Sequence, residues 1–338
     1  MQATIKTAFI IAGMPERKAE TCARIHAETS RDGVYSHGLN LVERVVNYLK
    51  SGLIIADAEP DLHASHGVME IYNGNMGPGI LNALFCMNRA TEIAAQNAVG
   101  IVSLNNTTHW LRGGSYGWQA AEKGFIGICW TNTESCMPAW GAKYQCIGNN
   151  PFIMAVPRKE GHIVLDMAMS QFSYGKLHVT RLKDQRLPFA GGFDHEGNLT
   201  DIPGPILETR RLLPTGYWKG SGFAILLDLI AALLSNGLTT AGIDQLGKGV
   251  CGSCSQVFIA IDPLKFNSQE FVSQAIEETL QQLKSSVPAE EGGEIFYPGE
   301  NSLKTRIENL ELGIPVDEGV WARVRELAGI FFKDVAPL

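Results

Sequence analysis

A chain of 338 residues, 45% hydrophobic and 19% charged, has apolar material for about two packed domains and is not intrinsically disordered. Its formal net charge is −7 and it has no Lys/Arg-rich run, which argues against nucleic acid as a partner. Seven cysteines without disulfide-type spacing, and a longest apolar run (223–234, interrupted by Asp228) of roughly 12 residues, too short to cross a bilayer, predict a cytoplasmic protein without a membrane partner.

The predicted elements begin after an apolar patch at 8–13, which is too short for a secretory signal. Composition predicts a helix over 15–29 with Cys22, Ile25 and His26 on its inner face. A second helix is predicted to open at Ser36, an N-cap residue type. Apolar residues follow at helical spacing (Leu41, Val42, Val45, Val46, Leu49), and Gly52 stops it. His37 then falls in the first turn, where the positive helix end lowers an imidazole pKa and attracts anions. A capped surface helix that merely carries a histidine is the plainer reading.

A connector at 56–60 leads to an exposed loop bearing His63 and His66, a strand near 68–72 and a glycine turn at 74–79. The spacing then predicts a long helix over 79–97 and a strand over 99–104. A further helix covers 115–123, stopped by Gly124, and strands are expected at 126–130, 152–156 and 163–167. This alternation indicates an α/β unit. Residues 194–201 read as a polar hairpin turn and 223–234 as a buried helix. A strand at 256–261, a helix at 269–284 and a helical tail from Ser302 with Trp321 complete the order. That tail is expected to pack on the N-terminal helices.

Several motifs are discounted. Gly247-Lys-Gly249-Val-Cys-Gly252 fits G-x-G-x-x-G, but no strand precedes it and no acidic residue follows at the required distance. The overlapping near-match to a P-loop, 242–249, lacks the closing Ser/Thr. Cys251-Gly-Ser-Cys254 is a lone pair with a strand after it, so zinc and thiol redox roles lack context. No residue set has metal-ligand spacing, and no metal is expected.

Polar residues at a strand's C-terminal end, before a Gly-Gly turn, are a typical site on an open sheet. Asn105-Asn-Thr-Thr-His109-Trp110-Leu-Arg112-Gly113-Gly114 has this form. His109 offers a titratable group and Arg112 a carboxylate fork; a loop satisfying its own backbone is the alternative. Tyr217-Trp218-Lys219-Gly220 offers an aromatic face and a cation before a helix. Pro298-Gly299-Glu300-Asn301 is a turn whose carboxylate is suited to a ribose hydroxyl.

Taken together, these motifs resemble the type-2 malate/L-lactate dehydrogenase family of NAD(P)-dependent 2-oxoacid reductases, and within it the 2,3-diketo-L-gulonate reductase branch. The likeness spans residues 15–325. It is carried by Gly33-Val-Tyr-Ser36-His37-Gly38, by 109–123, and by Met137-Pro-Ala-Trp-Gly-Ala-Lys143. It continues through Asp166-Met-Ala-Met-Ser170, 191–200 and Gly216-Tyr-Trp-Lys-Gly-Ser-Gly222. The resemblance implies an α/β fold with a non-Rossmann, mixed-sheet cofactor domain (71–304) and a helical domain built from both chain ends (1–70 with 305–338). It implies a homodimer. It implies His37 as catalytic proton donor with Ser36 beside it. It also implies that His162, Ile163, Val164, Leu165, Asp166, Met167, Ala168, Trp218, Lys219, Gly299, Glu300 and Asn301 contact the cofactor.

The expected activity is hydride transfer from NADH, or alternatively NADPH, to the C2 carbonyl of a small 2-oxo acid. His109 would help to bind or polarise the substrate, and Asn40 and Arg112 are the expected substrate contacts. Two departures stand out. The family's arginine four residues after the catalytic histidine is Leu41 here, with Arg44 displaced from it by about 60° of helix rotation. The family's Gly-Thr-Asn-Pro reads Gly148-Asn149-Asn150-Pro151. A non-catalytic nucleotide-binding homologue is the rival reading, as is a reductase of another 2-oxo or cyclic imino acid.

Overall fold

The computed structural model describes residues 1–247 and 252–330. The chain starts with α1 (Gln2–Ile11), which has no counterpart among the predicted elements, and α2 (Glu16–Arg31), with Pro15 at its N-cap. The inner face of α2 buries Cys22, Ile25 and His26 as its periodicity requires.

The helix expected to open at Ser36 does not form there. Two 3-10 turns, Tyr35–His37 and Leu39–Leu41, flank Gly38, whose φ of −102° and ψ of −118° are not helical. The α-helix α3 (Val42–Lys50) begins only at Val42. The cause is a tertiary competitor for the backbone. The buried His26 Nδ1–H donates to the Gly38 carbonyl at 2.9 Å, and Leu39 N–H donates to Ser30 Oγ at 2.9 Å. Both partners lie on α2, so this stretch is held by its neighbour rather than by its own ladder.

The chain then runs through β1 (Asp61–His66), β2 (Met69–Asn73), α4 (Gly79–Asn97), β3 (Val99–Thr107), α5 (Gly114–Glu122) and β4 (Ile126–Thr131). It continues through β5 (Phe152–Val156), β6 (Ile163–Met167), α6 (Tyr174–Leu182), the small hairpin β7 (Gly192–Phe193) and β8 (Leu199–Thr200), and α7 (Pro203–Thr209). Then come α8 (Trp218–Ser235), α9 (Thr240–Gln245), β9 (Cys254–Ile261), α10 (Gln269–Lys284), α11 (Glu300–Leu312) and α12 (Glu318–Leu327). His63 and His66 therefore stand on an exposed strand and not in a loop, and the sheet already includes residues 61–66.

Seven strands form one mixed sheet in the order β1-β2-β3-β9-β4-β5-β6, in which only β2–β3 is parallel. The late strand β9 is inserted between β3 and β4, so the sheet is not doubly wound. Strand alternation sends Phe258 and Ala260 into one core with α4 and α5, and Val257 and Ile259 into the opposite core with α8. A third core joins α1, α2 and α3 to Val324 and Ala328, with Trp321 packed against it.

Helix α8 corrects the sequence reading twice. It begins at Trp218 and, at 18 residues with a mean hydropathy of 1.4, is long and apolar enough to cross a bilayer. It is also only partly buried. Ala224, Leu227 and Ala231 face the sheet, whereas Leu226 is 55% and Leu233 79% exposed. The glycine stretch 242–252 falls partly outside the described residues, as does Cys251. Gly242 lies within α9, and Cys254 is buried in β9, its thiol pushed up to about 12 by burial.

Candidate active site

The end of β3 and the turn after α2 meet at a cavity of about 1230 Å³. Ser36 and His37 line it, together with His109, Arg112, the β6 residues Val164, Leu165 and Asp166, Ala168, and Gly299 at the start of α11. The structure thus brings together the two histidines, most of the β6 segment and one residue of the 299–301 turn.

His37 is fixed by the pinned turn described above. Its Nδ1 lies 2.9 Å from Ser36 Oγ, so Ser36, freed from capping, orients the imidazole and leaves Nε2 for chemistry. The His37 pKa is lowered, chiefly by burial; Asp166 opposes this, and Arg44 and Arg112 reinforce it. Desolvation, and not the expected helix terminus, is the main cause.

His109 sits just past β3. Thr108 Oγ1 accepts the Gly79 N–H and donates to the Gly77 carbonyl, both at 2.9 Å, so the N-terminus of α4 holds this loop. His109 Nδ1 accepts the Leu111 N–H at 3.0 Å, which places the ring proton on Nε2. Burial, with His37 and Arg44 adding to it, pushes its pKa down to about 3. His109 is therefore a neutral hydrogen-bond donor at physiological pH. The two imidazoles are nearly parallel, at 18°, with centroids 6.0 Å apart.

This arrangement depends on a hydrogen at Gly79. A Cβ there would lie 2.1 Å from the Thr108 carbonyl oxygen and 2.4 Å from that of His109. Gly79→Ala is expected to lower stability by about 3 kcal/mol, since backbone and not a movable side chain blocks the methyl. The shift in the urea midpoint measures this, and a loss below about 1 kcal/mol would mean that the loop relaxes freely.

Arg112 is not a free carboxylate fork. It is 5% exposed, and its Nη1 donates to Asp32 at 2.7 Å. Asp32 also takes two bonds from Arg306, at 2.8 and 2.6 Å, and one from Arg31 at 2.9 Å. Arg306 in turn lies over the Trp118 ring at 4.4 Å. The close approach of Gly113 and Gly114 to β5 and β6 lets Gly114 N–H donate to Asp166 Oδ2 at 2.8 Å.

The other expected contacts are placed differently. Asn40 is exposed and does not line the cavity, because Gly38 breaks the helix that would have aligned it with His37. His162 packs edge-on against Trp118, with its Nδ1 accepting Arg158 N–H. Ile163 and Met167 belong to β6 but do not line the cavity. The Glu300 carboxylate is held by Lys284 at 2.5 and 2.6 Å and by Tyr297 N–H at 3.0 Å. It faces a second cavity of about 490 Å³ and is not offered to a ribose in the main one. Asn301 is exposed. Trp218 and Lys219 stand at the exposed start of α8, outside the cavity, with Lys219 over the Trp218 ring. Asp32 escaped sequence reading: next to Gly33 it looks like an ordinary helix-end residue, and its partners lie 80 and 274 positions away.

A mixed sheet with a late inserted strand, whose cavity brings His109 from the end of β3 beside His37 from the turn after α2, is an α/β scaffold of non-Rossmann type. The chain belongs to the malate/L-lactate dehydrogenase family, whose model matches residues 1–325, and it is an oxidoreductase acting on hydroxy or oxo acids. It is 45% identical over 327 residues to the 2,3-diketo-L-gulonate reductase of Shigella boydii serotype 4, covering 97% of this chain and 98% of the relative. Among solved structures it is similar to the sulfolactate dehydrogenase of Methanocaldococcus jannaschii, with a TM-score of 0.86 at 27% identity, covering 97% and 94% of the two chains. It is also similar to the delta1-piperideine-2-carboxylate reductase of Pseudomonas syringae pv. tomato, with a TM-score of 0.85 at 25% identity, covering 96% and 97%.

Proposed function

We propose that this protein is an NADH-linked reductase of a small 2-oxo acid of the 2,3-diketo-L-gulonate type. The observation that carries the reading is the pairing of Ser36-oriented His37 with neutral His109 on one wall of the cavity. At about 1230 Å³ the cavity exceeds the usual few hundred to about a thousand Å³ of a small-ligand pocket, leaving room for a dinucleotide beside a small acid.

Val164, Leu165, Asp166, Ala168 and Gly299 would hold the nucleotide. When bound, the reduced nicotinamide supplies the hydride. His109 Nε2–H donates a hydrogen bond to the substrate's C2 oxygen and polarises the carbonyl. His37, as imidazolium, gives its proton to that oxygen as charge develops, with Ser36 Oγ holding the other nitrogen. Asp166 favours the charged form of His37 before the transfer. Absorbance at 340 nm with 2,3-diketo-L-gulonate, pyruvate, oxaloacetate and a cyclic imino acid, each with NADH and with NADPH, tests the reading. NADH binding without turnover of any of these would instead support the non-catalytic homologue.

A homodimer forms part of the same proposal. Leu226, Leu229, Ile230 and Leu233 recur at helical spacing on the solvent side of α8 and are all exposed. A second copy covers this face and brings its own Trp218 and Lys219 towards the cofactor, which these residues do not reach within their own chain. Leu226→Glu with Leu233→Glu is expected to give a monomer by sedimentation and at least a tenfold weaker NADH complex. A variant that remains dimeric would remove α8 from the interface.

A further inference from the structure

Any 2-oxo acid presents a carboxylate one bond away from the carbonyl that His37 and His109 address. Such a group entering a protein site needs a charged, multi-donor partner. Leu41 offers none. The arginines lining the cavity are Arg44, Arg112, Arg181 and Arg210. Arg112 is buried and held by Asp32. Arg181 and Arg210 are not among the charges felt by either imidazole. Arg44 acts on both histidines and lines the main cavity with them. It also lines a small apolar side cavity with His109 and Leu41. Its guanidinium is exposed and makes no hydrogen bond or ion pair among the described residues.

We propose that Arg44 is the residue that binds the substrate carboxylate, in place of a cation at position 41. Because Gly38 breaks the backbone and α3 starts only at Val42, His37 and Arg44 do not share one helical register, and the position of Arg44 relative to the histidine is set by the turn between them. The 3-10 turn before it sets Leu41 and Arg44 against the same small cavity. The guanidinium is planar and holds a carboxylate by two parallel bonds, which fixes the rotation of the acid and so the face of its carbonyl presented for reduction. Leu41 supplies only an apolar wall beside it.

The inference rests on the reductase reading, and its test keeps the two apart. Arg44→Met and Arg44→Lys are compared with wild type for KM of the oxo acid, KM of NADH, and the pH profile. Direct binding of oxalate is followed by calorimetry in the presence of NADH. Arg44→Met is expected to raise the oxo-acid KM by about 10- to 100-fold and to abolish oxalate binding, with the KM for NADH within twofold. Arg44→Lys restores the charge but not the fork and falls between the two. Removing this cation also raises the His37 pKa, so the alkaline limb of kcat/KM moves to higher pH, which a purely structural defect would not do. Wild-type oxalate affinity in Arg44→Met, or a KM effect confined to Arg181→Met or Arg210→Met, overturns the assignment. If wild type turns over no oxo acid, the reductase reading fails, and oxalate binding still decides Arg44. If wild type does not bind oxalate either, the carboxylate subsite falls as well.

Discussion

Replacing His37 by alanine is expected to lower kcat by about 10²–10⁴-fold while leaving the NADH dissociation constant near its wild-type value. The reason is local. Ser36 Oγ occupies one ring nitrogen, His109 is neutral and fixed as a hydrogen-bond donor, and the proposed mechanism draws its proton from the other nitrogen of His37. His109→Ala should cost less, because it removes polarisation but not the proton. On the proposed mechanism the His37 imidazolium is the active form for reduction. Burial lowers the His37 pKa below its ordinary value of 6.5. The rate of reduction should therefore fall as pH rises through that depressed pKa, and oxidation of the hydroxy acid should rise over the same interval. Stopped-flow measurement of the hydride step across pH checks this. A His37→Ala enzyme within threefold of wild type, or a profile that keeps the same limb without His37, would assign the proton to another group.

Asp32→Ala is expected to destabilise the protein by about 3–5 kcal/mol, the cost of leaving a buried charge without its partner. Arg112 is 5% exposed and would lose its carboxylate, and Arg306 and Arg31 would face it across the same gap. Burial alone would push the Asp32 pKa up, but Arg306 and Arg112 outweigh it and hold the carboxyl below the ordinary 3.8. A carboxylate with a depressed folded-state pKa contributes stability that is present above its unfolded value and is lost as pH falls through the folded one. The gap between wild type and Asp32→Ala should thus be full at neutral pH, begin to narrow below about pH 4 and go on narrowing as pH falls through the lower folded-state value. Urea unfolding at pH 7 and at pH 3 measures both quantities. A neutral-pH difference under about 1 kcal/mol would mean that water reaches the cluster and screens it.

The two experiments separate chemistry from architecture. In the proposed mechanism His37 acts on the substrate directly. Asp32 does not line the cavity, yet it ties the end of α2 to α11 and to the loop that carries Arg112, and so couples both chain ends to the cavity wall.

Local sequence determined the elements whose residues answer to a single neighbouring face. The long helix 79–97 and the strands at 126–130, 152–156 and 163–167 matched the structure closely, because one periodicity and one stop signal settle each of them. The family and the non-Rossmann mixed sheet were likewise legible, and Ser36, His37 and His109, singled out in the sequence, line one cavity. Short helices such as α6 and α7 were not, since each lacks a full amphipathic repeat of its own.

Tertiary structure decided what depends on distant partners. Whether Ser36 capped a helix or oriented an imidazole turned on His26 and Ser30 of α2 claiming the backbone at 38–39. Whether Arg112 was free turned on Asp32, and whether Glu300 was free turned on Lys284, each held in a pair that no spacing in the chain announces. The insertion of β9 between β3 and β4, and the exposure of one face of α8, follow from how sheet and helices share apolar surface across the whole chain. Periodicity reports which residues seek burial. Which of them find it, and which charged groups are already spoken for, depends on contacts that only the folded chain makes.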